Sequence, residues 1–229
     1  MNEQELAAYE ELRAGFTAAV SHELRTPLAR LLALLESAEL PDADLATLVA
    51  QARHEVQEIA ELVDEVLFLS ELETGREVVA LGSVRAREIM DAVAEASAER
   101  AVRADVAIHV EGDRNLEVPV RARMLRIVVE NLVENALRYA GPRTTLTLSV
   151  TAEGNRVVLG AADDGLGVSD EDLPRLFERF FRGDRARASR GTGLGLAIVK
   201  HIVTAAGGDV EATGAPGRGL TVRARFPAP

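Results

Sequence analysis

Cysteine is absent from the 229 residues, which removes disulfides, thiolate-held zinc, iron–sulfur clusters and cysteine nucleophiles. Lysine occurs once, at Lys200, so all but one of the 26 basic residues are arginine, and chemistry built on several lysines is excluded. No apolar run approaches the roughly 20 residues that span a bilayer, and no signal peptide opens the chain. A soluble, cytoplasmic chain is expected. Basic charge is the scarcer sign: 26 Lys and Arg against 37 Asp and Glu leave −11. That balance disfavours nucleic acid and anionic membrane as main partners. Three nucleotide-handling signatures are also missing. There is no Gly-Lys-Ser/Thr for a Walker A loop. The last glycine of a Rossmann fingerprint would fall at Leu196. No His-Arg-Asp triplet supports a eukaryotic-type protein kinase.

What is present is enough apolar material, 47%, to bury a core in one large domain or two small ones. Residues 5–36 read as one long helix. Leu24, Leu28, Leu31 and Leu35 form a single apolar stripe, continued by Leu12, Phe16 and Val20. A break at 39–44, containing Pro41, precedes a second helix over 45–72. Leu45, Ala52, Ile59 and Val66 recur every seven residues there, with Val49, Val56 and Val63 beside them. Two such helices predict an antiparallel hairpin whose apolar surface is covered only when a second copy completes a four-helix bundle. Beyond Gly75 the pattern changes. Helices are expected over 83–100 (with Ser83 as N-cap), 121–139 and 193–206. Strands are expected over 106–110, 144–150, 156–162, 209–212 and 220–226. The fold class is therefore α+β: a helical hairpin over 1–75, then a two-layer α/β sandwich over 76–229.

Several residues carry chemistry. His22 lies half a helical turn from Leu31 and so faces solvent. Glu23 beside it can accept a ring hydrogen and leave the other nitrogen's lone pair for attack. Thr26 shares the face of His22 and can orient a water, and Pro27 should bend the helix next to both. Asn131, Asn135 and Arg138 share one face of the helix over 121–139. Asn carbonyls suit Mg²⁺, and Arg138 suits phosphate. Asp163 at a strand end can accept a hydrogen bond from the exocyclic amine of adenine, where guanine has a carbonyl, while Gly165 and Gly167 let the backbone approach a flat base. Gly191, Thr192, Gly193, Leu194 and Gly195 open a helix whose N–H groups form an anion site. Between 175 and 190 there are six Arg against Glu178 and Asp184. That concentration of positive charge points to polyphosphate, and the segment between Gly183 and Gly191 reads as a lid.

The order of these motifs resembles the sensor histidine kinases of bacterial two-component systems. Residues 21–27 (SHELRTP) resemble the family's H box, 131–139 (NLVENALRY) its N box, 163–167 (DDGLG) the first Gly box, 176–182 (LFERFFR) the F box and 191–196 (GTGLGL) the second Gly box. The resemblance covers nearly the whole chain. It implies a dimerisation and phosphoacceptor hairpin joined to an ATP-binding domain of the kind shared with Hsp90, gyrase B and MutL. It implies His22 as phosphoacceptor with Glu23 as its acid/base partner. Asn135 is the implied Mg²⁺ ligand, with Asn131 near the γ-phosphate, Arg138 and Tyr139 near the phosphates, Asp163 reading adenine and Arg182 approaching the γ-phosphate. ATP and Mg²⁺ are the implied cofactors. A homodimer and a response regulator's receiver domain are the implied partners, with Thr26 in a phosphatase signature.

Three positions depart from the commonest pattern: Arg138 replaces Lys, Asp164 replaces Asn, and Leu220 stands where Ser or Thr often follows Gly219. The sensor and membrane region usual in the family is expected to precede this chain or to belong to another. The alternatives are an ATPase of the same nucleotide fold and a non-catalytic, nucleotide-sensing scaffold.

Overall fold

The structure, a computed structural model, describes residues 3–74, 79, 82–183 and 191–228, with side chains from Thr17 onward except that of Glu73. It divides into two compact units, Met1–Ser70 and Glu71–Pro229.

The first unit holds helix α1 (Glu3–Ala38) and nearly all of α2 (Leu45–Glu73). Asp44 starts α2: its carboxylate accepts the Thr47 N–H at 3.2 Å and the Thr47 hydroxyl at 2.6 Å, an N-cap that satisfies an otherwise orphan donor. Arg30 of α1 lies 3.6 Å from Glu55 of α2. The two sit at similar distances from the turn, so the helices run antiparallel. The expected single stripe on α1 divides in two. Leu24 and Leu31 are half-buried, whereas Leu28, Leu32 and Leu35 are exposed. On α2, Ala52, Ile59, Leu62 and Val66 turn inward, whereas Leu45, Val49, Val56 and Val63 stay exposed. Each helix thus has one apolar face for its neighbour in the hairpin and a second left in water. Helix α1 runs through Pro27 without interruption. A mid-helix proline costs about 3 kcal/mol, and Pro27 offsets part of that by being buried.

The second unit is a two-layer α/β sandwich. Its sheet has the order β2 (Val106–Gly112), β4 (Thr144–Glu153), β5 (Arg156–Asp163), β7 (Leu220–Pro227), β6 (Asp209–Gly214), with β2 and β4 parallel and the other neighbours antiparallel. Leu146, Leu148, Val150, Val157, Leu159, Ala161, Val222, Ala224 and Phe226 are buried by alternation on one face. That face is covered by α3 (Ala86–Ala96), α5 (Ala122–Tyr139) and α6 (Gly195–Ala205). The single helix expected over 83–100 is not found. Residues Val84–Arg85 form strand β1, paired with β3 (Glu117–Val118), and the helix breaks at Ser97 into α3 and α4 (Ala98–Ala104). Ser83 does not cap it, because its hydroxyl bonds Glu117 at 2.6 Å. The β4–β5 hairpin turns on Gly154 and Asn155 alone, with Glu153 opposite Arg156. Helix α6 begins at Gly195 rather than Gly193, which has φ +71°. The expected lid over 184–190 lies wholly outside the described residues.

The Thr47 hydroxyl, then its N–H, hold the Asp44 carboxyl below its ordinary range. A depressed folded value means that this stabilisation is present above the carboxylate range and is lost as pH falls through it. Asp44→Ala is therefore expected to lower the thermal midpoint at about pH 7, with the deficit shrinking by about pH 3, whereas Asp44→Asn keeps the cap and loses the pH dependence. Circular dichroism melts across that range check this, and a deficit that does not change with pH would contradict it.

Candidate functional site

In the first unit the His22 side chain is 74% exposed, as its place off the stripe predicts, and its Nδ1 lies 3.4 Å from Glu23 Oε1. Nε2 is then the ring nitrogen turned away from the carboxylate. Thr26 is exposed, and its hydroxyl reaches the His22 carbonyl at 3.5 Å. Pro27 brings no N–H to the Glu23 carbonyl. One turn along, Ser21, Leu24, Arg25, Leu28, Ala29 and Leu32 line a shallow, largely apolar groove.

In the second unit, α5 buries Met124, Leu125, Val128, Val129, Leu132, Val133 and Ala136. One flank of that face then presents Asn131, Asn135 and Arg138 together, as the helical period requires. The Asn131 amide nitrogen donates to the Ile127 carbonyl at 2.8 Å. Its oxygen faces α6, so closely that a Cβ on Gly195 would come within 2.5 Å of it. A Cβ on Gly191 would lie 2.8 Å from both Arg138 Nη1 and the Tyr139 hydroxyl. The N box and the second Gly box, distant in sequence, therefore meet. Asn135 is half-buried, and its carboxamide has no hydrogen-bond partner among the described residues. The Thr192 hydroxyl accepts the Leu194 N–H at 3.2 Å. The Gly193 carbonyl accepts the Phe180 N–H at 3.0 Å, tying the F-box segment to the loop. Phe180 has φ +59°, a conformation that is strained for a bulky residue. Arg182 ends that segment and is half-buried.

Asp163 ends β5 in register with Leu146 and continues the helix-covered face of the sheet. Its carboxylate accepts the Gly165 N–H at 2.9 Å and the Leu220 N–H. Burial pushes its pKa up; the two N–H donors pull the other way, and the neighbouring Asp164 charge adds to the rise. Asp164 does not turn toward the same space. Its Oδ1 accepts the Thr145 N–H at 2.6 Å, fastening the loop to β4. The loop is clamped on both sides: the Leu166 N–H donates to the Ala140 carbonyl at 2.9 Å, and the Gly165 carbonyl accepts the Gly219 N–H at 3.0 Å. Any Cβ on Gly165 would stand 2.1 Å from the Ala140 oxygen, so only glycine fits. Gly167 takes φ +66°. Thr221 pairs with Ala162, so its side chain lies on the sheet face opposite Asp163.

Two side chains escaped the sequence reading. Glu134 bonds Arg138 Nε at 2.5 Å and Arg100 Nη1 at 2.5 Å. The Glu134/Arg138 spacing of four is a legible signal, whereas Arg100 lies 34 residues from Glu134 and has none. The residues fit a nucleotide with its metal. A half-buried carboxylate stands at a strand end. A glycine loop leaves room beside Arg138, Tyr139 and Asn131, and Asn135 offers a hard oxygen. Among the described residues no cluster of three His, Asp or Glu could hold a metal by itself, and no helix is long and apolar enough to cross a membrane.

Residues 12–75 match the His Kinase A (phospho-acceptor) domain, and residues 120–229 match the histidine kinase-, DNA gyrase B- and HSP90-like ATPase family. Sensor-like histidine kinase SenX3 of Mycobacterium tuberculosis is 33% identical over 99% of this chain and 57% of its own length. The chain thus spans just over half of that relative. The structure of full-length ShkA in complex with AMPPNP is similar with a TM-score of 0.70 and 28% identity, over 96% of this chain and 46% of ShkA. Histidine kinase AdeS of Acinetobacter baumannii shares the fold, with a TM-score of 0.76 and 23% identity over 90% of this chain and 98% of AdeS.

The raised pKa of Asp163 means that the folded protein holds this proton more tightly than the unfolded chain does, so stability from this group falls as pH rises through the carboxylate range. Without nucleotide, Asp163→Asn is expected to melt above wild type at about pH 7, with the gap closing as pH is lowered through that range. Calorimetric scans test this, and a variant melting below wild type at every pH would contradict it.

Proposed function

The chain belongs to the sensor histidine kinases of two-component systems, and on that premise we propose that it transfers the γ-phosphoryl group of ATP to Nε2 of His22 and then to an aspartate of a response regulator. The observation that carries this reading is the exposed His22 ring with its Nδ1 facing Glu23. In that arrangement the carboxylate draws on the Nδ1 hydrogen while the Nε2 lone pair stays available, and the developing imidazolium charge is neutralised beside it. We assign residues 1–75 to dimerisation and phosphoacceptance and 76–229 to nucleotide binding.

Bound ATP with Mg²⁺ supplies the phosphoryl group and the cationic charge that offsets it. The protein's own part is to hold and orient. Asp163 accepts from the exocyclic amine of adenine, and Gly165 and Gly167 admit the base. Asn135 ligates the metal. Asn131, Arg138, Tyr139, Arg182 and the loop over 191–195 hold the phosphates, with the N–H groups at the start of α6 adding positive potential.

A homodimer follows from the second apolar face of the hairpin. Leu28, Leu32, Leu35, Val49 and Val56 are each at least half exposed, and fully burying one such side chain is worth about 1.5–3 kcal/mol. Thr26, exposed beside His22, is proposed to orient the water that dephosphorylates the regulator. A cytoplasmic location, with sensing supplied from outside these residues, completes the reading.

With γ-labelled ATP, wild type is expected to acquire acid-labile, base-stable label and His22→Gln none; equal labelling of both rejects His22. Thr26→Ala is expected to keep autophosphorylation and lose regulator dephosphorylation. Steady ATP hydrolysis without labelled protein favours an ATPase, and binding without turnover a scaffold. Leu28→Glu with Val56→Glu is expected to shift sedimentation from dimer to monomer.

A further inference from the structure

We propose that Arg100 and Glu134 are positioning residues for Arg138, fixing the direction in which its guanidinium faces the glycine loop and so tuning the strength of triphosphate binding. The inference rests on the reading that this loop holds the phosphates of ATP. Glu134 divides its two oxygens between two arginines: Oε1 to Arg138 Nε and Oε2 to Arg100 Nη1, both at 2.5 Å. Arg100 is itself anchored, since its Nη2 bonds the hydroxyl of buried Ser97 at 3.2 Å. The anchoring runs from the α3–α4 junction through Arg100 and Glu134 to Arg138. At its far end Arg138 Nη1 lies 2.8 Å from where a Cβ on Gly191 would be. One edge of the guanidinium is gripped while the other faces the loop.

Two physical consequences follow. Glu134 alone would neutralise Arg138, whereas the Arg–Glu–Arg triad keeps a net positive charge beside an anion site. A planar fork can also present Nε to a carboxylate and Nη to a phosphate along separate, fixed directions, whereas the three donors of lysine radiate from one freely rotating nitrogen. The arginine at 138 is therefore coupled to Arg100 in a way that a lysine would not be. All three side chains are partly exposed, so each pair is individually weak and the expected effect is a graded loss of affinity.

Affinities for ATP and for adenosine, measured by displacement of a fluorescent nucleotide, test this on the whole chain. Arg100→Gln is expected to weaken ATP by about three- to tenfold and leave adenosine unchanged. The KM for ATP should rise by the same factor with kcat held. Arg100→Lys should recover part of the loss, and in an Arg138→Lys background Arg100→Gln should add nothing. In nucleotide-free protein, solvent exchange of the Arg138 Nε–H, read by NMR, should quicken in Arg100→Gln. Equal losses of ATP and adenosine, no loss at all, or full additivity with Arg138→Lys would overturn the proposal. Wild type that binds no ATP overturns the nucleotide reading and the ligand named here, while the Nε–H exchange still decides whether Arg100 orients Arg138.

Discussion

Helix α5 is held by its apolar side, and three polar groups of the proposed nucleotide cradle, Asn131, Asn135 and Arg138, take their position from that. Seven buried side chains line one face. A large apolar chain contributes about 1.5–3 kcal/mol when fully buried, against about 0.5–1.5 kcal/mol for a typical hydrogen bond. The rotation of the helix is therefore set by its core. Asn131, Asn135 and Arg138 follow at 100° per residue and emerge together along one flank of it. The cradle's remaining parts come to α5: the glycine loop at Arg138 and Tyr139, the start of α6 at Asn131, and the Asp163 loop at Ala140.

The hairpin reflects a different constraint. Two helices side by side can cover one face of each, and these helices carry apolar residues on two. The uncovered positions, from Leu28 to Leu35 on α1 and Leu45 to Val63 on α2, are too regular to be incidental on a chain with so much charge. His22 escapes both apolar faces. It remains in water on a helix otherwise given to packing, next to a proline that removes one donor from the local ladder.

The departures from the commonest family pattern have separate structural answers. Asp164 spends its carboxylate on the Thr145 N–H and acts on Asp163 only through charge. Leu220 offers Asp163 its backbone N–H while its side chain joins the core. Arg138 turns one edge of its fork to Glu134 and another toward Gly191.

Much of this was legible in the residues. Periods of seven and 3.6 located the long helices, alternation located the principal strands, and the two-layer class followed from their order. The shared face of Asn131, Asn135 and Arg138, and the exposure of His22, follow from angular arithmetic alone. What periodicity could not reach was set by partners distant in the chain. Strand β1 replaced a helical start because β3 pairs with it, thirty-odd residues away. Helix α6 began two residues late because Gly193 bends to bond Phe180. Glu134 acquired Arg100 only once α4 packed beside α5. Local spacing determines which face a residue occupies, because the backbone period is fixed by covalent geometry. Which group it then meets depends on how separate elements pack, and that is decided by burial across the whole unit.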